Sequence, residues 1–298
     1  MKRVATHHRF VDLLLLGVAL AWGSTYLTVK DLTRHSSVLG LLATRFGITT
    51  LVLLVLSYRQ LRGFTRREVF VGSILGVSQA FILFLEAFGV SKTSATNGGL
   101  IISLAIVLTP IIDGAASKKW LPRSFFIACS MAFSGVALLI STNGFHKPNV
   151  GDLLFLIAAF ARAAHVTALG KMTVGAGFSS MRLTLFQSSI CFFIYFLVSP
   201  QSTVRTVSHY ERNDWFGVLY LSIVCTVFAF YVQTWAIRKT SAARASLLVG
   251  TEPIWSLIIA VGIGGEKLSG LAGIGALLIL AGTYWGAEIE ARVRNRSQ

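Results

Sequence analysis

The stretches Lys92–Pro110 (KTSATNGGLIISLAIVLTP) and Lys239–Pro253 (KTSAARASLLVGTEP) begin with the same four residues, 147 positions apart. The same offset aligns 119–121 (KWL) with 266–268 (EKL) and 135–136 (GV) with 282–283 (GT). A second offset, of 140 positions, aligns 12–16 (DLLLL) with 152–156 (DLLFL). Because these matches follow one another in the same order, we interpret the chain as two copies of one structural unit.

The composition is typical of a membrane protein. Of the 298 residues, 54% are hydrophobic and 13% are charged, and the mean hydropathy is +0.70. Soluble domains carry about 25% charged residues, so a soluble enzyme, a disordered regulator and a secreted disulfide scaffold are excluded. The net charge of +15 does not indicate nucleic-acid binding, because the basic residues lie in short groups between apolar runs rather than along one face. The three cysteines lie in apolar runs and are expected to be free thiols.

Ten apolar runs are long enough to cross a bilayer, which takes about 20 helical residues. Five of them hold no Asp, Glu, Lys or Arg: 93–112, 124–146, 183–204, 215–237 and 268–287. The other five hold one or two charges: 11–30, 38–58, 69–90, 150–170 and 243–263. Since every backbone N–H and C=O must be paired within lipid, we predict an all-α integral membrane protein with ten transmembrane helices.

The distribution of basic residues predicts the orientation. With ten spans both termini lie on one face. If that face is the cytoplasm, cytoplasmic segments hold 18 Lys and Arg and the opposite loops hold 7, as the positive-inside rule requires. The two copies, over residues 11–141 and 150–287, have five spans each. Because five is odd, the second copy is inverted, which is typical of secondary transporters. We expect a multi-pass protein of the cell (inner) membrane with cytoplasmic termini.

Several motifs carry a family resemblance. Residues 22–26 (WGSTY) resemble the first-helix signature of the drug/metabolite transporter superfamily, EamA type. Lys92–Pro110 and Lys239–Pro253, with 264–268 (GGEKL), resemble its fourth-helix and second-repeat patterns. In the first repeat, the usual glycine-glutamate after the fourth helix is replaced by Ser117-Lys118-Lys119. The resemblance implies a ten-helix carrier whose cavity is lined mainly by helices 1, 3, 4, 6, 8 and 9. It also implies transport of small metabolites, often outward.

Two opposite charges lie at similar depth in the sixth and ninth runs, Arg162 and Glu252. A charge at the bilayer centre costs at least about 2.5–3.5 kcal/mol, so each needs a partner or an aqueous cavity. They are interpreted either as a substrate site or as a structural ion pair. In the first case Arg162 binds a carboxylate of the substrate through two parallel hydrogen bonds, and Glu252 binds an amine or a proton.

Other polar residues within the runs leave two interpretations each. Arg45 either extends to the headgroups or contacts substrate or a gate. Glu86 either couples transport to a proton or cation or pairs with Arg45. His165, on the same helix face as Arg162, is a proton shuttle or a hydrogen-bonded wall residue. Gln79 faces the cavity or joins helices. Asp152, near the end of a run, is interpreted as a solvated or capping group.

Aromatic residues and prolines complete the candidate site. Four aromatic residues either line the cavity, where they suit a cationic or amphipathic substrate, or pack against lipid: Trp22, Tyr26, Tyr231 and Trp255. Pro110 and Pro253 each remove a backbone donor within a span, and such breaks let helices bend during alternating access. Gly72 and Gly76 form a GxxxG motif, which indicates close helix contact.

These features predict a secondary transporter that exports small zwitterionic or amphipathic metabolites, such as amino acids, by alternating access. The alternatives are uptake of a larger planar metabolite such as a vitamin or, with less support, a membrane enzyme or receptor. The sequence has no HExxH, GxSxG or Walker A motif, so we expect no enzymatic activity. We expect no cofactor and no metal site. The expected partners are a small-molecule substrate and the lipid bilayer, not nucleic acid, and a homodimer is left open.

Overall fold

The computed structural model describes residues 2–118, 120–141, 149–173, 175–233 and 248–296. The second copy of the repeated motif, Lys239–Ala242, and Lys119 lie outside these described residues. The helices of the first repeat are α1 (Lys2–Leu32), α2 (Val38–Ser57), α3 (Arg66–Val90), α4 (Ala95–Ile102), α5 (Leu104–Ser117) and α6 (Arg123–Ser141). Those of the second are α7 (Val150–Thr173), α8 (Ser180–Val198), α9 (Pro200–His209), α10 (Arg212–Leu219), α11 (Glu252–Gly262) and α12 (Gly270–Arg296). A 3-10 turn (Tyr58–Gly63) follows α2, and a π-helix (Tyr220–Phe228) continues α10.

The described residues contain ten apolar helical segments, which confirms the predicted fold. Eight are long and apolar enough to cross a membrane, and two, Arg123–Leu139 and Glu252–Gly262, are shorter apolar helices. The fourth span consists of α4 and α5, and the eighth runs from Arg212 to Gln233 through the π-helix. The short α9 lies between the seventh and eighth spans. The molecule is thus an all-α membrane protein of two inverted five-helix repeats.

The packing of helices follows the repeat. Exchanging each span with its counterpart five positions along relates α1 to α7, α2 to α8, and α3 to the eighth span. Accordingly, α3 packs on α7 and α8, and the π-helix of the eighth span packs on α1 and α2. Likewise α1 packs on α11, while α7 packs on α4 and α5. The interface between repeats is therefore formed by symmetry-related pairs, with a polar cluster at its centre.

Glycines set the closest contacts between spans. A Cβ added at Gly72 or Gly76 would lie 2.7 Å from the Cβ of Phe186 or Ile190 on α8, so the GxxxG prediction is confirmed. At Gly135 of α6 a Cβ would lie 2.6 Å from the carbonyl oxygen of Gly275 on α12. Backbones approach this closely only where small residues line the interface, and such contacts hold the helices that surround the centre.

Candidate functional site

Arg162 on α7 lies at the centre of the interface between two carboxylates. Its Nε is 3.4 Å from Oε1 of Glu86 on α3, and its Nη1 is 3.5 Å from Oε1 of Glu252 on α11. Tyr26 on α1 donates its hydroxyl proton to the same oxygen of Glu252 at 2.6 Å. Four spans from both repeats therefore converge on one polar cluster, which we call the Arg162 cluster (Tyr26, Glu86, Arg162 and Glu252).

The Arg162 cluster is unevenly buried. The side chains of Glu86 and Glu252 are 8% and 9% exposed, whereas that of Arg162 is 26% exposed. Oε1 of Glu86 contacts Arg162 but makes no hydrogen bond to any described residue. Two buried carboxylates thus face one guanidinium that still has free surface, so the cluster has an unsatisfied acceptor and accessible donors. A buried ion pair alone is weak support for stability, and this arrangement can bind a small charged molecule.

The cluster is bounded on one side by Trp22 of α1. The Arg162 guanidinium lies 6.0 Å from the centre of the Trp22 ring, at the edge of cation–π range. The indole Nε1 donates to the carbonyl oxygen of Cys225 at 3.0 Å, which fixes the ring against the π-helix. Phe230 packs on the other side of Trp22, with ring centres 5.5 Å apart. Trp22 therefore connects the charged cluster to the eighth span.

A narrow cleft continues from Phe230 between α2, α3 and α8. It is lined by aromatic, amide and small polar side chains: Phe46, Gln79, Thr184, Gln187, Ser188, Cys191 and Phe230. Gln79, predicted either to face the cavity or to join helices, lines this cleft. At about 10 Å³ the cleft has room for about one water molecule in this conformation.

Arg45 is buried between helices instead of extending to the surface, and it does not pair with Glu86. Its side chain is buried, and its Nε and Nη2 donate to Oγ1 of Thr226 at 3.1 and 2.9 Å. The two corresponding interpretations are therefore wrong, because Glu86 contacts Arg162 and Arg45 finds its acceptor on the π-helix. Thr226 in turn donates to the carbonyl of Leu221, five residues earlier. Both residues belong to the π-helix, a form often found at functional sites.

The other predicted site residues are divided between the centre and its edges. His165 is buried, and its Nδ1 lies 2.7 Å from the hydroxyl of Ser78 on α3, as expected of a wall residue. Trp255 lies on α11 three residues after Glu252, and its buried indole N–H has no acceptor among the described residues. Tyr231 is exposed and is not brought together with the Arg162 cluster by any contact in the described part of the chain.

The two prolines differ in their relation to the helix breaks. Pro253 lies in the first turn of α11, directly after the break at 250–251. Pro110 lies inside α5, seven residues beyond the break at Ser103. Proline is tolerated in the first turn because no backbone donor is needed there. The discontinuity of the ninth span therefore coincides with its proline, and that of the fourth span does not.

Two acidic groups at the ends of spans, one buried and one half-buried, were not identified from the sequence as joining residues. Asp152 is fully buried and accepts hydrogen bonds from Thr93 Oγ1 at 2.6 Å and Asn97 Nδ2 at 3.1 Å, so its interpretation as a solvated group is wrong. Glu266, in the loop after α11, joins α1 to the start of α4. The repeated KTSA motif was the available signal, because both carboxylates contact residues of its first copy or directly after it.

The described residues contain no group of three or more His, Cys, Asp or Glu side chains that could hold a metal ion. The three cysteines are buried free thiols.

Comparisons with known proteins place these features in a family. The sequence pattern of the EamA-like transporter family matches residues 9–141 and 149–285. An uncharacterized transporter of Archaeoglobus fulgidus is 28% identical over 275 residues, which covers 91% of this chain and 83% of the relative. Relatives in Salmonella typhimurium and Escherichia coli, each called a probable amino-acid metabolite efflux pump, are both 24% identical over 286 residues and are covered to 92%, with 91% of this chain.

A crystal structure with 19% sequence identity superimposes with a TM-score of 0.59 and covers 95% of this chain and 99% of the other. At that identity the likeness concerns the fold alone, and it agrees with the ten-helix arrangement. The family pattern matches both halves of the chain, and the relatives are transporters. The chain is therefore a multi-pass membrane protein that belongs to the EamA-like transporter family.

Proposed function

We propose that this transporter exports small zwitterionic or amphipathic metabolites, amino acids or related compounds, by alternating access and without a catalytic step. The observation that carries the proposal is the exposure of Arg162 between two buried carboxylates. A purely structural ion pair is expected to shield both partners, whereas a binding site leaves the donor accessible.

The chemistry of the cluster matches both ends of an amino acid. A guanidinium binds a carboxylate through two parallel hydrogen bonds, and the substrate carboxylate would take this place on Arg162. The carboxylate of Glu252 would then accept the substrate ammonium group. Trp22 would contact its uncharged part, and the cleft lined by Gln79 would admit that part only on widening during transport.

Other predicted residues act around this site in the proposal. Tyr26 positions Glu252 through the hydroxyl hydrogen bond, and Trp255 bounds the site from α11. Glu86 couples binding to a proton or cation, because its Oε1 makes no hydrogen bond to any described residue. Arg45 acts through the π-helix as part of a gate, and Pro253 marks the hinge of the ninth span. Pro110 weakens the backbone of the fourth span, and His165 positions α7 against α3.

The export direction is supported by the two relatives named as efflux pumps. We also propose the cell membrane as the location, with both termini in the cytoplasm, from the distribution of basic residues. In the proposal, residues 11–141 and 150–287 are the two five-helix repeats. Homodimerisation stays open, and nucleic acid has no role in the proposal.

Flux into sealed vesicles tests the proposal. Purified protein is reconstituted and loaded with an unlabelled amino acid, and entry of the labelled compound is followed for a panel of amino acids. We expect exchange of at least one of them, and we expect it to be lost when Arg162→Gln and Glu252→Gln are combined.

A matched control is available at the surface. Arg34 and Asp31 form an exposed ion pair at 3.5 Å, and the double variant Arg34→Gln, Asp31→Asn should exchange at the native rate. If the Arg162 and Glu252 double variant exchanges as fast as this control, the site is wrong. Hydrolysis of the test compound without flux would favour an enzyme, and binding without flux a receptor.

A further inference from the structure

Glu266 joins three groups from the other repeat. Its Oε1 accepts from Lys30 Nζ at 2.7 Å and from the backbone N–H of Ala95 at 2.8 Å. Its Oε2 accepts from the N–H of Thr96 at 2.9 Å. Lys30 lies in the last turn of α1, and Ala95 and Thr96 begin α4. A single carboxylate of the second repeat therefore holds the ends of two helices of the first, and we call this arrangement the Glu266 clamp.

The electrostatics of the clamp are favourable. A helix N-terminus carries partial positive charge and unpaired N–H groups, and α4 presents both to the carboxylate. Ser94 caps the same helix by accepting from the N–H of Asn97 at 2.9 Å, so two N–H groups remain for Glu266. The side chains of Lys30 and Glu266 are 25% and 14% exposed. Charge-assisted hydrogen bonds between partly buried groups contribute more to stability than ion pairs between fully exposed ones.

The clamp lies directly over the packed contact between α4 and α11. Ser256 on α11 donates to the carbonyl of Ala95 at 3.3 Å, and a Cβ added at Gly99 would collide with the Ser256 side chain. These contacts lie between the clamp and the Arg162 cluster, since Glu252 begins the same helix one turn earlier. For the cluster to open toward the face that carries Lys30, α4 and α11 must separate here.

The repeat gives the opposite face a different residue at the corresponding position. The offset of 147 that aligns the two KTSA motifs aligns Glu266 with Lys119. The last turn of α7 carries Lys171 as that of α1 carries Lys30. Lys171 pairs with Asp113 at 3.5 Å, with side chains 45% and 51% exposed, and exposed pairs contribute little.

Another buried carboxylate on that face has a different role. Glu68 accepts from the N–H of Ser179 at 2.8 Å and from Arg182 Nε at 2.9 Å. It joins α3 to α8, which also contact each other at Gly72, Gly76 and Tyr195. Helices that pack over this length move together, so Glu68 holds a pair within one body.

We propose that Glu266 is a positioning residue that holds the transporter closed on the face opposite its termini. At the aligned position of the other repeat the sequence has Lys119, which does not supply this carboxylate. With the Lys30 face held closed, the empty carrier rests open toward the termini. Alternating access requires that α4 leave Glu266 in each cycle. This inference does not depend on the identity of the substrate.

Labelling of a cysteine beneath the clamp tests it without any substrate. The reporter is Ser256→Cys in a chain whose three native cysteines are replaced by serine. A membrane-impermeant maleimide is applied to intact cells and, separately, to inverted membrane vesicles, so that each face is probed. The native clamp should give slow labelling from the Lys30 face. Glu266→Gln should label at least about tenfold faster from that face only, because the charge-assisted bonds are lost and the populations shift.

Two further variants complete the experiment. Asp31→Asn, on the same face beside Lys30, should label as slowly as the native chain. Lys119→Glu should slow labelling from the face of the termini and speed it from the Lys30 face. If Glu266→Gln does not accumulate in membranes, Lys119→Glu carries the test alone. Labelling unchanged in both variants, or faster from both faces equally, would overturn the proposal whatever the carrier transports.

Discussion

The interface between α6 and α12 and the Arg162 cluster both join the two repeats, but they do so with opposite chemistry. At α6 and α12, glycine lets backbones touch: a Cβ at Gly282 would lie 2.6 Å from the amide nitrogen of Ala132. The cluster instead brings together two carboxylates and a guanidinium. Since small residues suffice to join helices in lipid, the cost of the charges is not explained by assembly. The comparison favours a role of the Arg162 cluster in binding the substrate.

The largest effect is expected from removing the only cation of the Arg162 cluster. Arg162→Gln leaves Glu86 and Glu252 facing each other, and an uncompensated buried charge costs about 3–5 kcal/mol. We expect a lower midpoint of thermal unfolding in detergent than for the native protein. Adding Glu252→Gln should restore part of the lost thermal stability. In the double variant only one carboxylate of the cluster lacks a cation, whereas in the single variant two do. A double variant less stable than the single variant would contradict this account of the cluster.

The next effect should separate packing from transport. Gly282→Leu forces a side chain into the α12 and α6 contact, and overpacking costs about 1–3 kcal/mol or more. Gly273→Leu, on the same helix with open space around it, is the matched control. We expect only Gly282→Leu to lower the yield of folded protein, measured by size-exclusion chromatography. Flux per folded molecule should be unchanged in both, and a selective loss of flux in Gly282→Leu would show that this interface also acts in transport.

A smaller effect is expected at Trp22. Trp22→Leu removes the ring beside Arg162 and the hydrogen bond to the Cys225 carbonyl. Cation–π contacts are worth about 0.5–2 kcal/mol, so the apparent substrate affinity should fall by about twofold to thirtyfold. Trp22→Phe keeps a ring and should lie between Leu and the native residue in a concentration series of vesicle uptake. Equal behaviour of the Leu and Phe variants would show that the ring does not contact the substrate.

The sequence predicted the fold well because its determinants are repeated and local. Span length, absence of charge and the KTSA repeat each depend on neighbouring residues, and the GxxxG motif needs only one helix turn. The meeting of Arg162 with Glu252 followed from their similar depth. Charged side chains within lipid need partners at a similar depth. Because the spans hold few charges, few ion pairs are possible.

Partner choice was less predictable because it depends on rotation about each helix axis. Glu86 and Arg45 lie at related depths, yet Glu86 contacts Arg162 while Arg45 binds Thr226. The π-helix that presents Thr226 has no signature in the apolar run 215–237. The burial of Asp152 likewise depends on Thr93 and Asn97, 59 and 55 positions away, a separation that helix periodicity does not report.

Like the Arg162 cluster, the Glu266 clamp is built from charged groups, but it lies at the end of the spans. Its response to pH should be the smallest of the predicted effects. Burial alone would raise the pKa of Glu266, but the bonds from Lys30 and from the amides of Thr96 and Ala95 outweigh it and lower the pKa below its ordinary value of 4.5. Because the pKa of Glu266 is lowered in the folded state, the stability that its carboxylate contributes is complete above the pKa of the unfolded chain. It is lost only as the pH falls through the lower pKa of the folded state.

Labelling of the Ser256→Cys reporter from the Lys30 face should therefore stay constant between about pH 8 and about pH 5.5, after correction for maleimide reactivity. Glu266→Gln should remain fast throughout that range. An increase in labelling of the native clamp as the pH falls to 5.5 would mean that Glu266 is released by protonation, and the clamp would then be a pH-dependent gate rather than a constant one.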